Sequence, residues 1–154
     1  MDATDRKILA ILQEDASLPV AEVASRVNLS QTPCWRRIQR LEASGVIRAR
    51  VALADPEALG LGLTVFVEVE TGDHSAGWLE RFAGAVAAMP EVMEVYRMAG
   101  DVDYLLKIAV ANMGAYDGFY RRLVALLPLK NVTSRFAMEQ VKFTTAYPVG
   151  GDEA

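Results

Sequence analysis

Three arginines within five positions, Arg36, Arg37 and Arg40, form the densest group of chemically committed side chains in this sequence, and they follow Ser30, Gln31, Thr32 and Pro33 closely. Fixed positive charge at helical spacing suits phosphate oxygens or the paired acceptors of guanine, while glutamine and threonine can reach base edges. Residues suited to covalent or metal chemistry are scarce. The one histidine, His74, stands in Gly72-Asp73-His74-Ser75, a turn with no second base or ligand beside it. The one cysteine, Cys34, cannot form an internal disulfide; it falls on an apolar helix stripe and reads as a small core residue. Asp101 and Asp103 flank Val102 in a hairpin without histidine or cysteine partners, and hydrogen bonding within the turn accounts for Asp101. No phosphate loop of the GxxxxGK type occurs. Catalytic residues, a metal and a cofactor are therefore not expected.

The arginines need a helix that presents them, and the first fifty residues predict one. Asp2 or Thr4 caps a first helix with Ile8, Ile11 and Leu12 along one side. Pro19 opens a second helix with the stripe Val20, Val23, Ala24 and Val27. Asn28 tolerates the left-handed geometry of a tight turn, Leu29 tucks into the angle, and Ser30 caps a third helix over 31–43. Its buried face is Cys34, Ile38 and Leu41, with Trp35 near the rim. Two short helices with a tight turn and a basic second member make a helix-turn-helix. Gln31, Thr32 and Trp35 are expected to face bases; Arg36 or Arg37 is the candidate guanine reader, and Arg40 holds phosphate. After Gly45, residues 46–53 alternate in part and predict a wing strand that brings Arg48 and Arg50 to the phosphates.

Charge divides in the same way as function. Residues 1–50 carry eight basic and six acidic side chains, whereas 51–154 carry eight and fourteen. The chain as a whole is at −4, so an anionic partner finds attraction only at the N-terminal end. No apolar run reaches the roughly 18 residues a spanning helix requires, and no secretory signal opens the chain, so no membrane partner and a cytoplasmic location are expected.

Residues 55–62, with Pro56, Gly60 and Gly62, read as a linker. Beyond it the pattern is strand (63–69), helix from Ser75 to Pro90, strand (92–98), strand (104–110), helix from Met113 to Pro128, and a long strand from 132 to 147. That order, βαββαβ, is a ferredoxin-like arrangement with both helices on one face of a four-stranded antiparallel sheet. The expected class is α+β, with a winged helix-turn-helix domain over 1–54, the ferredoxin-like domain over 63–147 and a flexible tail over 148–154. Phe66, Phe136 and Phe143 are assigned to the face without helices, where a second subunit would cover them. Dimerisation would pair two recognition helices on a pseudo-palindromic stretch of double-stranded DNA. Acidic loops beside such an interface suit the ammonium group of an amino acid.

Across residues 1–147 the chain resembles the leucine-responsive regulator/asparagine regulator (Lrp/AsnC, feast/famine) family of prokaryotic transcriptional regulators. The segments that carry the resemblance are DATDRKILAILQEDA, LSQTPCWRRIQRLEASGVIRARVALADPEALG, AGDVDYLLKIAV, NMGAYDGFYRRL and TSRFAMEQVKFTTAYPV. The resemblance implies a nucleoid-associated regulator of amino-acid metabolism or transport, whose homodimers assemble to tetramers or octamers. It also implies a small apolar effector such as leucine or methionine, bound between dimers. Carried over by position, Ser30, Gln31, Thr32, Pro33, Trp35, Arg36, Arg37 and Arg40 match the DNA-reading set. Gly100, Asp101, Asp103 and Tyr104 match the family's Gly-Asp-x-Asp-Tyr segment, with Asp103 at the acidic position of effector response. Met113, Phe136 and Ala137 match positions near the same interface, and Ala137 is smaller than the valine of leucine-responsive members. Two alternatives fit the same residues: a metabolite-sensing or enzymatic module that uses its basic head for protein contacts, and a low-specificity architectural DNA-compacting protein.

Overall fold

Asp2 starts the first helix, α1 (Ala3–Glu14), by accepting a hydrogen bond from the Asp5 N–H at 2.8 Å. The Asp5 carboxylate accepts one from the Asp2 N–H at 3.0 Å, so two aspartates make the reciprocal cap and Thr4 is not used. Pro19 precedes α2 (Val20–Arg26), and its carbonyl accepts the Glu22 and Val23 N–H groups. Asn28, at φ +55°, turns the chain into α3 (Gln31–Ala43). Ser30 occupies the N-cap, but its side chain makes no capping bond, and its carbonyl takes the Cys34 N–H instead. Ile8, Leu12, Val23, Ala24, Val27, Cys34, Ile38 and Leu41 form the core of this three-helix unit. Burial pushes the Cys34 thiol up, consistent with a packing role.

No wing strand forms. After Gly45 (φ +75°) the Ile47 N–H returns to the Leu41 carbonyl at 3.0 Å, and Ile47 packs against the helical core. Residues 48–55 then run without regular structure, since a single extended segment has no ladder partner within the described chain.

The second unit spans Leu53–Gln140. Its elements are β1 (Leu63–Glu70), α4 (Ala76–Ala87), β2 (Val92–Arg97), β3 (Tyr104–Val110), α5 (Met113–Leu126) and β4 (Asn131–Phe136). All sheet pairings are antiparallel and the strand order is β2-β3-β1-β4, the ferredoxin-like arrangement. Val65, Val67 and Val69 of β1 and Leu106, Ile108 and Val110 of β3 pack under Trp78, Phe82, Val86, Phe119 and Leu123 of the two helices. Trp78 stacks on Phe82 with ring centroids 5.0 Å apart, and Tyr104 closes the cluster.

Two details depart from the sequence pattern. β4 ends at Phe136 because its partner does: the Ala137 N–H bonds the Thr64 carbonyl, and β1 begins one residue earlier. Residues 141–150 lie with the N-terminal unit (Met1–Ala52) instead, where the Gln13 side chain and the Tyr147 backbone exchange hydrogen bonds of 2.8 and 3.1 Å. The chain thus divides into one compact unit of 1–52 plus 141–150 and a second of 53–140.

The second departure concerns the sheet face without helices. Phe136 stands opposite Val65, hence on the helix side, and its ring meets Tyr116 edge-on with centroids 5.1 Å apart. Phe143 lies outside the sheet. Phe66 alone of the three belongs to the other face, where Glu68 pairs with Arg135 and Glu94 with Lys107 at 2.8 and 2.9 Å. That face is mixed and ion-paired, not an apolar aromatic patch. The computed structural model describes residues 1–150; the rest of the tail expected over 148–154 lies outside the described residues. No helix among the described residues is long and apolar enough to cross a membrane.

Candidate nucleic-acid interface

Helix α3 buries one stripe, Cys34, Ile38 and Leu41, and its 3.6-residue period decides what points away. Thr32, Arg36 and Gln39 lie opposite that stripe, with Arg40 beside them; all four are exposed. Gln31, Pro33 and Trp35 are exposed as well, with Trp35 half accessible at 51%. Gln39 is an outward residue that the arginine-centred pattern passes over. Helical spacing alone places it, one turn beyond Trp35 and Arg36, and its amide donates to Glu42 at 2.8 Å.

The three arginines are not equivalent. Arg37 lies on the flank of α3 that faces the start of α1, where it donates to Asp2 at 2.6 Å and to Asp5 at 2.8 Å. Arg40 donates to both Asp5 oxygens at 2.8 and 2.9 Å. Asp5 is almost completely buried and so serves three jobs together: helix cap, partner of Arg37 and partner of Arg40. The Arg37 hydrogen bond holds the Asp2 carboxyl down at about 2. Burial pushes Asp5 up, yet the Asp2 N–H and the Arg37 guanidinium outweigh it, leaving the carboxyl below its ordinary range. The same two carboxylates raise Arg37. Arg36 has no ion pair among the described residues and is solvent-facing. Of the two guanine-reader candidates, Arg37 is therefore committed to holding the helix and Arg36 is available. Arg48 is exposed on irregular chain, and Arg50 is drawn back to Glu42 at 2.9 Å, so the two do not share a strand face.

The seven effector candidates separate within one chain. Gly100, at φ +125°, turns the β2–β3 hairpin, and Asp101 is exposed beside it. Hydrogen bonding expected of Asp101 belongs to Asp103, whose carboxylate accepts the Thr71 N–H at 2.7 Å and whose own N–H meets the Val69 carbonyl at 3.1 Å. His74 is exposed, 3.7 Å from the same carboxylate. Tyr104 is buried in the Trp78–Phe82 cluster. Met113, Phe136 and Ala137 sit at the opposite end of the sheet, since Phe136 pairs with Val65 whereas Tyr104 pairs with Val69. The two rows are four residue steps apart along β1, about 13 Å.

The described geometry has close counterparts among known proteins. The family model of the AsnC-type helix-turn-helix domain matches residues 1–42, and that of the Lrp/AsnC ligand binding domain matches 64–147. A DNA-binding transcriptional activator of Escherichia coli (strain K12), DecR, is 52% identical over 150 residues, 97% of this chain and 99% of its own length. The crystal structure of an AsnC family transcriptional regulator from Agrobacterium tumefaciens superposes with a TM-score of 0.94 at 56% identity, covering 97% of both chains. A transcriptional regulator from Neisseria meningitidis, solved as a complex with L-Met, superposes with a TM-score of 0.92 at 36% identity, again over 97% of both chains.

Proposed function

Because the chain belongs to the Lrp/AsnC family of DNA-binding transcriptional regulators tied to amino-acid metabolism, we propose that it reads a pseudo-palindromic operator through the outward face of α3 and answers to a small amino acid held between dimers. Thr32, Arg36 and Gln39, with Gln31 and Trp35 at the rim, reach base edges in the major groove. Ser30, Pro33 and Arg40 approach the backbone, and Arg48 and Arg50 add phosphate contacts. The observation that carries this assignment is the division of the arginines. Asp2 and Asp5 lock Arg37 to the start of α1 and leave Arg36 on the exposed face.

The effector is an apolar amino acid such as leucine or methionine; L-Met in the Neisseria relative supports this class. Gly100, Asp101 and Asp103 lie at one end of the sheet, and Met113, Phe136 and Ala137 at the other. Only a second copy can bring one set against the other. Tyr104 supports the hairpin from the core. Homodimers assembling to tetramers or octamers supply that arrangement, and the protein acts in the cytoplasm on the nucleoid. An effector changes DNA binding only by favouring one assembly over another.

Fluorescence anisotropy on the operator upstream of the gene itself tests the first half. Arg36→Ala should cost about 1–3 kcal/mol against the preferred site. Unchanged affinity would remove α3 from the groove. Calorimetry across the twenty amino acids, with sedimentation of the same samples, tests the second half: the responding amino acid should shift the oligomer distribution, and silence from all twenty would end the effector assignment.

A further inference from the structure

Gln39 is exposed on α3, yet its amide is held in one orientation. Its Nε2 donates to Glu42 Oε2 at 2.8 Å. The other oxygen of that carboxylate belongs to Arg50, whose Nε and Nη2 donate to Oε1 at 3.1 and 2.9 Å. Glu42 thus gives one oxygen to each neighbour. We propose, on the reading of α3 as the base-contacting helix, that Gln39 reads an adenine in the major groove and that Glu42 is the positioning residue that restricts it to that base.

A side-chain amide has a donor end and an acceptor end, and turning it over exchanges them. A carboxylate paired with a guanidinium accepts only, so the end that meets Glu42 has to be the NH2 group. The opposite orientation would set the Gln39 carbonyl against a carboxylate oxygen. With one N–H given to Glu42, Gln39 keeps a second N–H and its carbonyl Oε1, which has no hydrogen bond among the described residues. Adenine alone offers the matching pair in the major groove, an N7 acceptor beside an N6 donor. Guanine presents two acceptors, N7 and O6, and would oppose the carbonyl. Thymine presents O4 and a methyl group, and cytosine only the N4 donor group.

Arg36 supplies donors only, which suits the two guanine acceptors. It precedes Gln39 by three residues, about 4.5 Å along the helix, while successive base pairs are about 3.4 Å apart, so the adenine falls within about two base pairs of the guanine. Gln39 is exposed and the Glu42 side chain is 33% exposed, so truncating either removes no core packing. Loss of Glu42 would also release Arg50 and remove a negative charge beside the groove. Both changes favour phosphate whatever the sequence, so the variant should lose selectivity while gaining general affinity. A Glu42 that merely supported the helix would instead weaken every complex alike when removed.

Selecting bound duplexes from a randomised pool and sequencing them should give a wild-type half-site with a guanine and an adenine at that spacing. Gln39→Ala should lose the adenine and keep the guanine, and Arg36→Ala should do the reverse. On the selected duplex, 7-deazaadenine at that position, which lacks only the N7 acceptor, should weaken wild-type binding roughly threefold or more and leave Gln39→Ala unaffected. Glu42→Ala should cut the preference for adenine by about the same factor while binding unrelated DNA more tightly. Glu42→Gln, whose amide carbonyl still accepts the Gln39 N–H, should restore the preference; unchanged thermal melts will certify the fold of each variant. An adenine retained by Gln39→Ala, or a 7-deaza effect that survives that substitution, would overturn the Gln39 assignment, and loss of the guanine in Arg36→Ala would show that the α3 reading still stands. A half-site indifferent to both Gln39 and Arg36, or a pool that yields none, would overturn both readings. Equal weakening of all duplexes by Glu42→Ala, or no recovery in Glu42→Gln, would remove Glu42 from its positioning role.

Discussion

Asp5 shows how one buried carboxylate can organise a reading head. Removing it loses half of a helix cap, takes from Arg40 its carboxylate partner and leaves Arg37 with Asp2 alone. Asp5→Asn should therefore destabilise the chain by about 2 kcal/mol in urea denaturation, the magnitude of hydrogen bonds to charged groups. The pH dependence follows from the direction of the shifts. Asp2 titrates at about 2 in the folded chain against 3.8 in the unfolded one, so its stabilisation is complete above 3.8 and is lost as pH falls toward 2. Asp5 shifts in the same direction. Acid denaturation followed by circular dichroism should begin below about pH 4 in the wild type. In Asp2→Asn that slope should flatten; an identical profile would show that the cluster does not hold α3. Arg37→Ala should mainly lower stability, while Arg36→Ala should mainly lower operator affinity, and the reverse pattern would exchange their roles.

At the scale of elements, the turn and the strand ends decide most of what differs from pattern. Asn28 occupies φ +55°, where glycine is at ease and alanine is strained. Asn28→Gly should be close to neutral and Asn28→Ala should cost about 1 kcal/mol, read from urea midpoints. If alanine were tolerated as well as glycine, the left-handed turn between α2 and α3 would be in doubt. Core periodicity was legible here: the stripe Cys34, Ile38 and Leu41 and the alternation in β1 and β3 are where the spacing puts them. The wing and the far half of the last strand were not legible, because alternation reports a capacity to extend and carries no information about whether a partner strand exists. Phe136 was misplaced for a related reason. Which face a strand residue takes depends on register, and register with β1 is a long-range property.

For the whole molecule, charge is the sequence-level quantity with the clearest consequence. A net negative chain with a positive N-terminal portion should bind DNA with a steep salt dependence arising at that end. Arg40→Gln should shallow the plot of log affinity against log salt by about one, because one phosphate contact is lost, and should do so equally on unrelated DNA. An unchanged slope would mean that Arg40 remains with Asp5 in the complex. By itself the sequence determined the helix-turn-helix, the βαββαβ order and the basic outward helix, since these follow from local periodicity, caps and charge. It also carried the family through motifs spread over nearly the whole chain. Only the tertiary structure decided that Arg37 is spent on Asp2 and Asp5, that the face around Phe66 is ion-paired, and that the two groups of effector candidates lie at opposite sheet ends. Those facts depend on residues dozens of positions apart meeting at fixed distances, and no local pattern encodes a distance.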